Sequence, residues 1–197
     1  MYTWKEEVNI LKPNAYDKVL QTMREMVHSS TFEKITVSEI CLKADVSRNT
    51  FYKHFKDKND VIEQIISNTI SAPLSELRKL YTNHDLPPTF LLEWMYQQFY
   101  NDRLFYEQIS SYTGQNSFES FIFQHTSQII EEKLASHDLP ELEKNYTVYF
   151  YAKSHTDLLI KWIRDGMIVE PKIIASYYAK WTLPLWQNLN AQKSDNL

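Results

Sequence analysis

Two glycines, Gly114 and Gly166, serve the whole 197-residue chain. Tight hairpin turns and phosphate-cradling loops both rely on glycine, so hairpin sheets and glycine-rich nucleotide sites have almost no material here. What the sequence offers instead is apolar spacing of helical period. Ala15, Val19, Leu20, Met23, Met26 and Val27 make one stripe behind Asn14, a good N-cap. One cysteine, Cys41, excludes an internal disulfide framework, and its place among apolar residues reads as a small core residue. No apolar run reaches the ~18 residues of a membrane span, and MYTWKEEVNI lacks the basic start and apolar centre of a signal peptide. These features predict an all-α, soluble, cytoplasmic protein with no membrane partner.

The densest punctuation lies between residues 36 and 58. Thr36 and Glu39 have capping-box spacing and open a short helix to about Ala44. Asp45 stands where the chain must turn sharply, and Asp tolerates a left-handed backbone better than most residues. Ser47 caps the next short helix, to about His54, and Asp57 caps a longer one that carries Val61, Ile62, Ile65, Ile66 and Ile70 inward. Two short helices across a tight turn, then a longer one, read as a helix-turn-helix with its recognition helix at about 47–54. Charge agrees locally. The chain is −4 overall, but Ser47–Lys58 holds Arg48, Lys53, Lys56 and Lys58 against Asp57 alone. Such a cluster is either a solvated basic face or a phosphate-contacting one.

Over residues 32–58 the run FEKITVSEICLKADVSRNTFYKHFKDK resembles the DNA-binding domain of the TetR/AcrR family of transcriptional regulators. The loose family pattern I-T-V-x-x-I-A-x-x-A-G-V-S-x-x-T-x-Y-x-x-F-x-x-K is matched in register by Thr36, Val37, Ile40, Ala44, Val46, Ser47, Thr50, Tyr52, Phe55 and Lys58. Cys41 replaces a small alanine and Asp45 replaces the turn glycine. The resemblance implies a three-helix DNA-binding domain over 1–70 and a helical effector-binding and dimerisation bundle over 71–197, about nine helices in all. Ile35, Val37, Ile40, Val46, Phe51 and Phe55 then form the small core that fixes the two short helices. Arg48, Asn49 and Lys53 are candidates for base edges, since Arg pairs with guanine and Asn with adenine. Thr36, Thr50, Tyr52, His54 and Lys58 suit phosphates, with Ser47 as the cap between them. Asn49 as a plain surface residue and Tyr52 as a packing ring remain open.

Beyond residue 80 the helical stretches fall at about 89–100, 102–112, 117–136, 141–165 and 171–190, with Gly166 as a C-cap and Pro171 as a start. Tyr149–Trp181 is similar to a branch of the family that includes regulators like the activator of dihydroxyacetone kinase genes. In the family the last two long helices pair with their twofold mates. That makes Tyr149, Leu158, Trp162, Ile174, Tyr177, Tyr178 and Trp181 candidates for a homodimer interface, or for an intramolecular core. An effector pocket among helices four to eight would draw on Trp94, Phe99, Phe105, Phe118, Phe121, Ile122 and His125, an aromatic set that equally suits a core. His125 interrupts the stripe of Phe118, Phe121, Ile122 and Ile129, either to hold a polar ligand group or as a satisfied core histidine.

Neither metal nor cofactor is expected. Six histidines are scattered without i, i+4 pairing, and no G-x-S-x-G occurs. Glu131 and Glu132, as neighbours, do not face each other on a helix. The expectation is therefore not an enzyme but a one-component regulator, more often a repressor. It binds a palindromic double-stranded operator as a homodimer, under a small-molecule or protein effector. The other reading keeps the helix-turn-helix as scaffold or makes the chain an activator, with a partner protein on the C-terminal region.

Overall fold

The computed structural model describes residues 13–80, 89–114 and 117–194. Residues 83–88 and most of 114–116, which fall between the expected helical stretches, lie outside these residues, as do His84 and the N-terminal decapeptide. Every regular element described is helical, in agreement with the all-α expectation.

Helix α1, Ala15–Ser29, starts where the Asn14 side chain accepts the Asp17 amide at 2.9 Å. A 3₁₀ turn, Phe32–Lys34, leads to α2, Val37–Ala44. The capping box forms as the spacing predicts: the Thr36 amide donates to Glu39 Oε2 at 2.9 Å, and the Glu39 amide to Thr36 Oγ1 at 3.3 Å. These bonds to Thr36 hold the Glu39 carboxyl below its ordinary range. Asp45 takes the left-handed conformation, φ 53° and ψ 52°, and the Val46 amide reaches back to the Cys41 carbonyl at 3.0 Å. That closes the tight turn into α3, Arg48–His54, where Ser47 Oγ accepts the Thr50 amide at 3.0 Å.

Asp57 caps α4, Lys58–Ile66, by accepting the Asn59 and Asp60 amides at 2.7 and 2.9 Å. The helix continues through a π-helical stretch, Ser67–Ser71, into α5, Ala72–Leu80. The π stretch has no glycine or proline in it, and the sequence did not signal it. Then follow α6, Phe90–Asn101; α7, Arg103–Ser110; α8, Phe118–Leu134; α9, Glu141–Arg164; and α10, Pro171–Ser194. With α4 and α5 counted as one rod, the described residues form nine helices, as expected.

α1 is the hub of the N-terminal head. Its Val19, Met23, Met26 and Val27 meet Ile40, Cys41, Phe51, Phe55, Val61 and Ile65 in one buried cluster. Burial also pushes the Cys41 thiol up, away from reactive thiolate. Val37 and Val46, expected in this core, are half-buried against it. The same cluster continues without a gap into the body through Ile66, Ile70, Phe99, Phe105, Tyr106 and Leu159. α8 and α9 pack along each other, and α6 lies on α10. At the head–body junction Arg24 of α1 pairs with Asp102, donates to Thr69 Oγ1 at 2.7 Å, and lies 5.1 Å from the Phe105 ring centroid.

Candidate nucleic-acid interface and ligand cavity

The head presents one polar face. Arg48, Asn49, Tyr52, Lys53 and His54 of α3 are all exposed, as are Thr36 and Ser47. The opposite side of α3 explains why: Phe51 is wholly buried and holds the helix against α1 and α2. Each candidate has a defined setting. The Arg48 guanidinium folds back onto Ser38 Oγ of α2. The Thr50 hydroxyl lies 2.8 Å from Ser47 Oγ, so it is half-buried and engaged. Tyr52 packs edge-on against Phe51 while remaining 58% exposed. The His54 ring sits edge-on to Tyr16, whose own ring stacks on Phe55 at 5.2 Å. The Tyr16 hydroxyl donates to Gln64 Oε1 at 3.1 Å, so α1 braces α4 beside the recognition helix.

Lys58 is placed differently from the other eight. Its ammonium donates to the carbonyls of Phe32, Glu33 and Ile35 at 2.8, 3.0 and 2.9 Å. It also lies 4.6 Å from the Phe32 ring centroid. An ammonium has three donors, and here all three are spent on the 3₁₀ turn. Burial pulls its pKa down. The sequence read Lys58 as a phosphate contact and gave no hint of this clamp. The clamp depends on a turn that brings three carbonyls to one point.

Within the body a cavity of about 400 Å³ lies between the π stretch, α6, α8, α9 and α10. Of the expected pocket residues, Phe99, Phe121, Ile122 and His125 line it. Trp94, Phe105 and Phe118 do not: Phe105 and Phe118 are buried in the main cluster, and Trp94 packs against its edge. Helical spacing tells which side of a helix is buried, not whether that side meets a void or a neighbour. The cavity also has a polar group that the sequence reading passed over. His155 is buried on its wall, with Nδ1 3.3 Å from the Thr126 hydroxyl. Its Nε2 is buried with no hydrogen-bond partner among the described residues. Burial first, and the neighbouring His125 second, push its pKa down to about 4. The imidazole is therefore neutral at physiological pH. Tyr178 closes on it with ring centroids 4.9 Å apart. The available signal was the placement of His155 between Ala152 and Leu159 on the buried stripe of α9.

The proposed dimer residues also divide. Trp162 and Ile174 are buried within the chain, and the Trp162 indole donates to the Val169 carbonyl at 2.8 Å. Tyr178 faces the cavity and Leu158 is half-buried against the main cluster. Tyr149, Tyr177 and Trp181 are exposed, and with them Leu142, Tyr146, Phe150 and Ile173 on the same two helices.

The chain matches two family models: residues 22–65 the model for bacterial regulatory proteins of the tetR family, and residues 88–181 that of a TetR transcriptional regulator C-terminal region. The chain belongs to the TetR family. Among curated relatives it is 31% identical over 71 residues to the uncharacterised HTH-type regulator YvdT of Bacillus subtilis, an alignment covering 36% of this chain and 37% of that protein. It is 21% identical over 153 residues to the dhaKLM operon activator DhaS of Lactococcus lactis, covering 74% and 78%. The structure of the dihydroxyacetone kinase operon activator DhaS superposes with a TM-score of 0.58 at 18% identity, over 89% of this chain and 97% of that one. A TetR regulator from Streptococcus agalactiae superposes at 0.55 and 16%, over 85% and 92%. These TetR-family relatives agree in fold with the helix-turn-helix head and helical body described above. Family and fold are those of transcriptional regulators, and no helix among the described residues is long and apolar enough to cross a membrane.

Proposed function

We propose that this TetR-family regulator binds a near-palindromic operator as a homodimer through residues 36–58, and that a small molecule in the body cavity sets its DNA affinity. The observation that carries the reading is the exposed face of α3, where Arg48, Asn49, Tyr52, Lys53 and His54 stand clear of the core. Base-edge contacts fall to Arg48, Asn49 and Lys53, and backbone contacts to Thr36, Ser47, Thr50, Tyr52 and His54. Lys58 reaches a phosphate only by giving up its carbonyls, so its first role is to hold α4 to the turn before α2. Residues 1–70 serve DNA and residues 71–197 serve the effector and the dimer. The α4–α5 rod crosses that division without a break. The dimer reading is supported by the aromatic surface of α9 and α10, where Tyr146, Tyr149, Phe150, Tyr177 and Trp181 are each between 47% and 70% exposed. Aromatic surface of this density suits an interface better than water.

Repression is the first reading of the regulatory sign. Activation is the second, favoured by the likeness to the activator DhaS. A concave cavity of about 400 Å³ with a mostly apolar lining supports a small-molecule effector over a partner protein. The test is selection of bound sequences from random duplex DNA, repeated with Arg48→Glu and Lys53→Glu. A recovered palindrome, bound at least 100-fold more weakly by either variant, supports the reading. No enrichment by a folded, dimeric protein overturns it.

A further inference from the structure

The recognition helix is short. α3 has seven residues, and Phe51 is the side chain it buries. A helix of that length is marginal by itself in water, so its direction comes from what grips its two ends. At the start the grip is Ser47. At the end it is Tyr16, on α1. The Tyr16 ring stacks on Phe55, the residue at which the chain leaves α3 in extended conformation, φ −135° and ψ 139°, with centroids 5.2 Å apart. The same ring stands edge-on to His54 at 6.0 Å.

The Tyr16 hydroxyl is tied to the α4–α5 rod. Asn68 Nδ2 donates to it at 2.9 Å, and it donates to Gln64 Oε1 at 3.1 Å. Gln64 Nε2 in turn lies 3.5 Å from Asp60 Oδ1, and Asp60 Oδ2 accepts the Lys56 amide at 2.8 Å, two residues after α3 ends. Asp60, Gln64 and Asn68 stand four residues apart, so they share one side of the rod. Donor and acceptor roles run along the row without conflict: Asn68 to Tyr16, Tyr16 to Gln64, Gln64 to Asp60, with the Lys56 amide closing it. Hydrogen bonds joined in this way polarise and strengthen one another. One end of the row, Asn68, lies in the π stretch, and the other holds the backbone just past the recognition helix.

We propose that Tyr16 is a positioning residue for operator binding: its ring and hydroxyl together fix to the rod the end of α3 that carries Lys53 and His54. The proposal rests on the DNA-binding reading above and adds to it a residue outside 36–58. Hydrogen bonds to base edges fail when donor and acceptor are misplaced by about 1 Å, so an α3 released at its last turn keeps its charge and loses its aim.

The experiment measures the affinity of the full chain for a selected operator, at a temperature where every variant is folded. Tyr16→Phe keeps the ring on Phe55 and removes the hydroxyl, and is expected to bind at least fivefold more weakly. Gln64→Met keeps length and helix propensity and breaks the row one step further on. It is expected to bind as weakly, and the double variant no more weakly than either. Combined with His54→Ala, the Tyr16→Phe loss should shrink, because the end it positions has already lost a contact. Combined with Arg48→Ala, six residues away and about 9 Å along α3, the two losses should multiply. In the free protein the Lys56 amide should exchange with solvent at least tenfold faster in Tyr16→Phe.

Wild-type operator affinity in both Tyr16→Phe and Gln64→Met overturns the proposal. So does a loss in Tyr16→Phe alone, which would make its hydroxyl a direct phosphate contact. So does a loss that multiplies equally with His54→Ala and with Arg48→Ala, which a general loosening of the head would give. If Tyr16→Phe does not fold, Gln64→Met and its coupling to His54→Ala decide. Faster Lys56 exchange with unchanged operator affinity shows a row that DNA does not need, which overturns the proposal and spares the regulator. A folded wild type that enriches no sequence overturns the DNA-binding reading and this proposal with it.

Discussion

In the head, capping side chains take up free amides within three residues of themselves: Asn14, Thr36, Ser47 and Asp57 each serve the first turn of the helix they open. In the body Ser117 caps α8 in the same way, but several polar groups pair across helices and others lack a partner. Thr126 reaches His155 29 residues on, and Arg164 Nη2 reaches the Ser110 carbonyl across 54 residues at 2.8 Å. Four of the five buried side-chain polar atoms without partners among the described residues, on Tyr96, Tyr106, Ser127 and His155, belong to the body. The helix starts of the head are thus set by local instructions. The body tolerates buried polar groups without partners, one of them on a residue that lines the cavity, and such groups are destabilising. Rigid reader and accommodating receptor are what a ligand-controlled DNA binder needs.

The contrast can be broken at four places, in descending size of effect. Phe51→Ala removes the wholly buried ring that holds α3 to the head core, and should cost about 3–5 kcal/mol in urea unfolding. If the loss is under 1 kcal/mol, α3 does not depend on that packing. The second test is pH. The folded pKa of His155 is near 4, whereas a free histidine titrates near 6.5, so between these values the unfolded chain binds the extra proton. Its contribution to stability is complete above about pH 6.5 and declines as pH falls toward 4. The total is about 3 kcal/mol, and His155→Phe should flatten this part of the stability–pH curve. An unchanged curve would mean the ring is not buried neutral.

Third, Arg24→Ala cuts the pairing with Asp102 and Thr69 and the contact with Phe105, where head meets body. A loss of about 1–3 kcal/mol is expected in thermal or urea unfolding. A second unfolding transition would show that this junction is what makes head and body one cooperative unit. Last, Asp45→Gly relieves the positive φ of the helix-turn-helix turn and should stabilise by about 0.5–1 kcal/mol. A loss of stability on that substitution would instead give weight to the long 3.9 Å pairing of Asp45 with Lys18.

The same contrast explains what the sequence disclosed. Thr36–Glu39, Asp45, Ser47 and Asp57 act through bonds to residues two to four positions away, so their spacing was enough to place three helices and the turn. Lys58 was legible as a cation and not as a clamp, because its partners lie 23 to 26 residues back on a turn the pattern did not show. In the body, apolar periodicity marked Phe99, Phe121 and Ile122 as inward. It gave the same mark to Phe105 and Phe118, which meet protein, and to Trp162 and Ile174, which close the chain's own core and not an interface. His125 was picked out as a polar interruption of such a stripe. By the same criterion His155 was equally visible.

The π stretch at Ser67–Ser71 makes the α4–α5 rod wider there than an α-helix, because each turn holds about one residue more. That surplus residue is slack. Returning it to α-helical winding advances the remainder of the rod by one residue, about 1.5 Å of travel and 100° of rotation. Ile70 and Ser71 touch the cavity from inside this stretch, and Thr69 touches Arg24 of the head from its other side. The five-residue stretch thus lies against the cavity on one side and against the head on the other, at the midpoint of the α4–α5 rod.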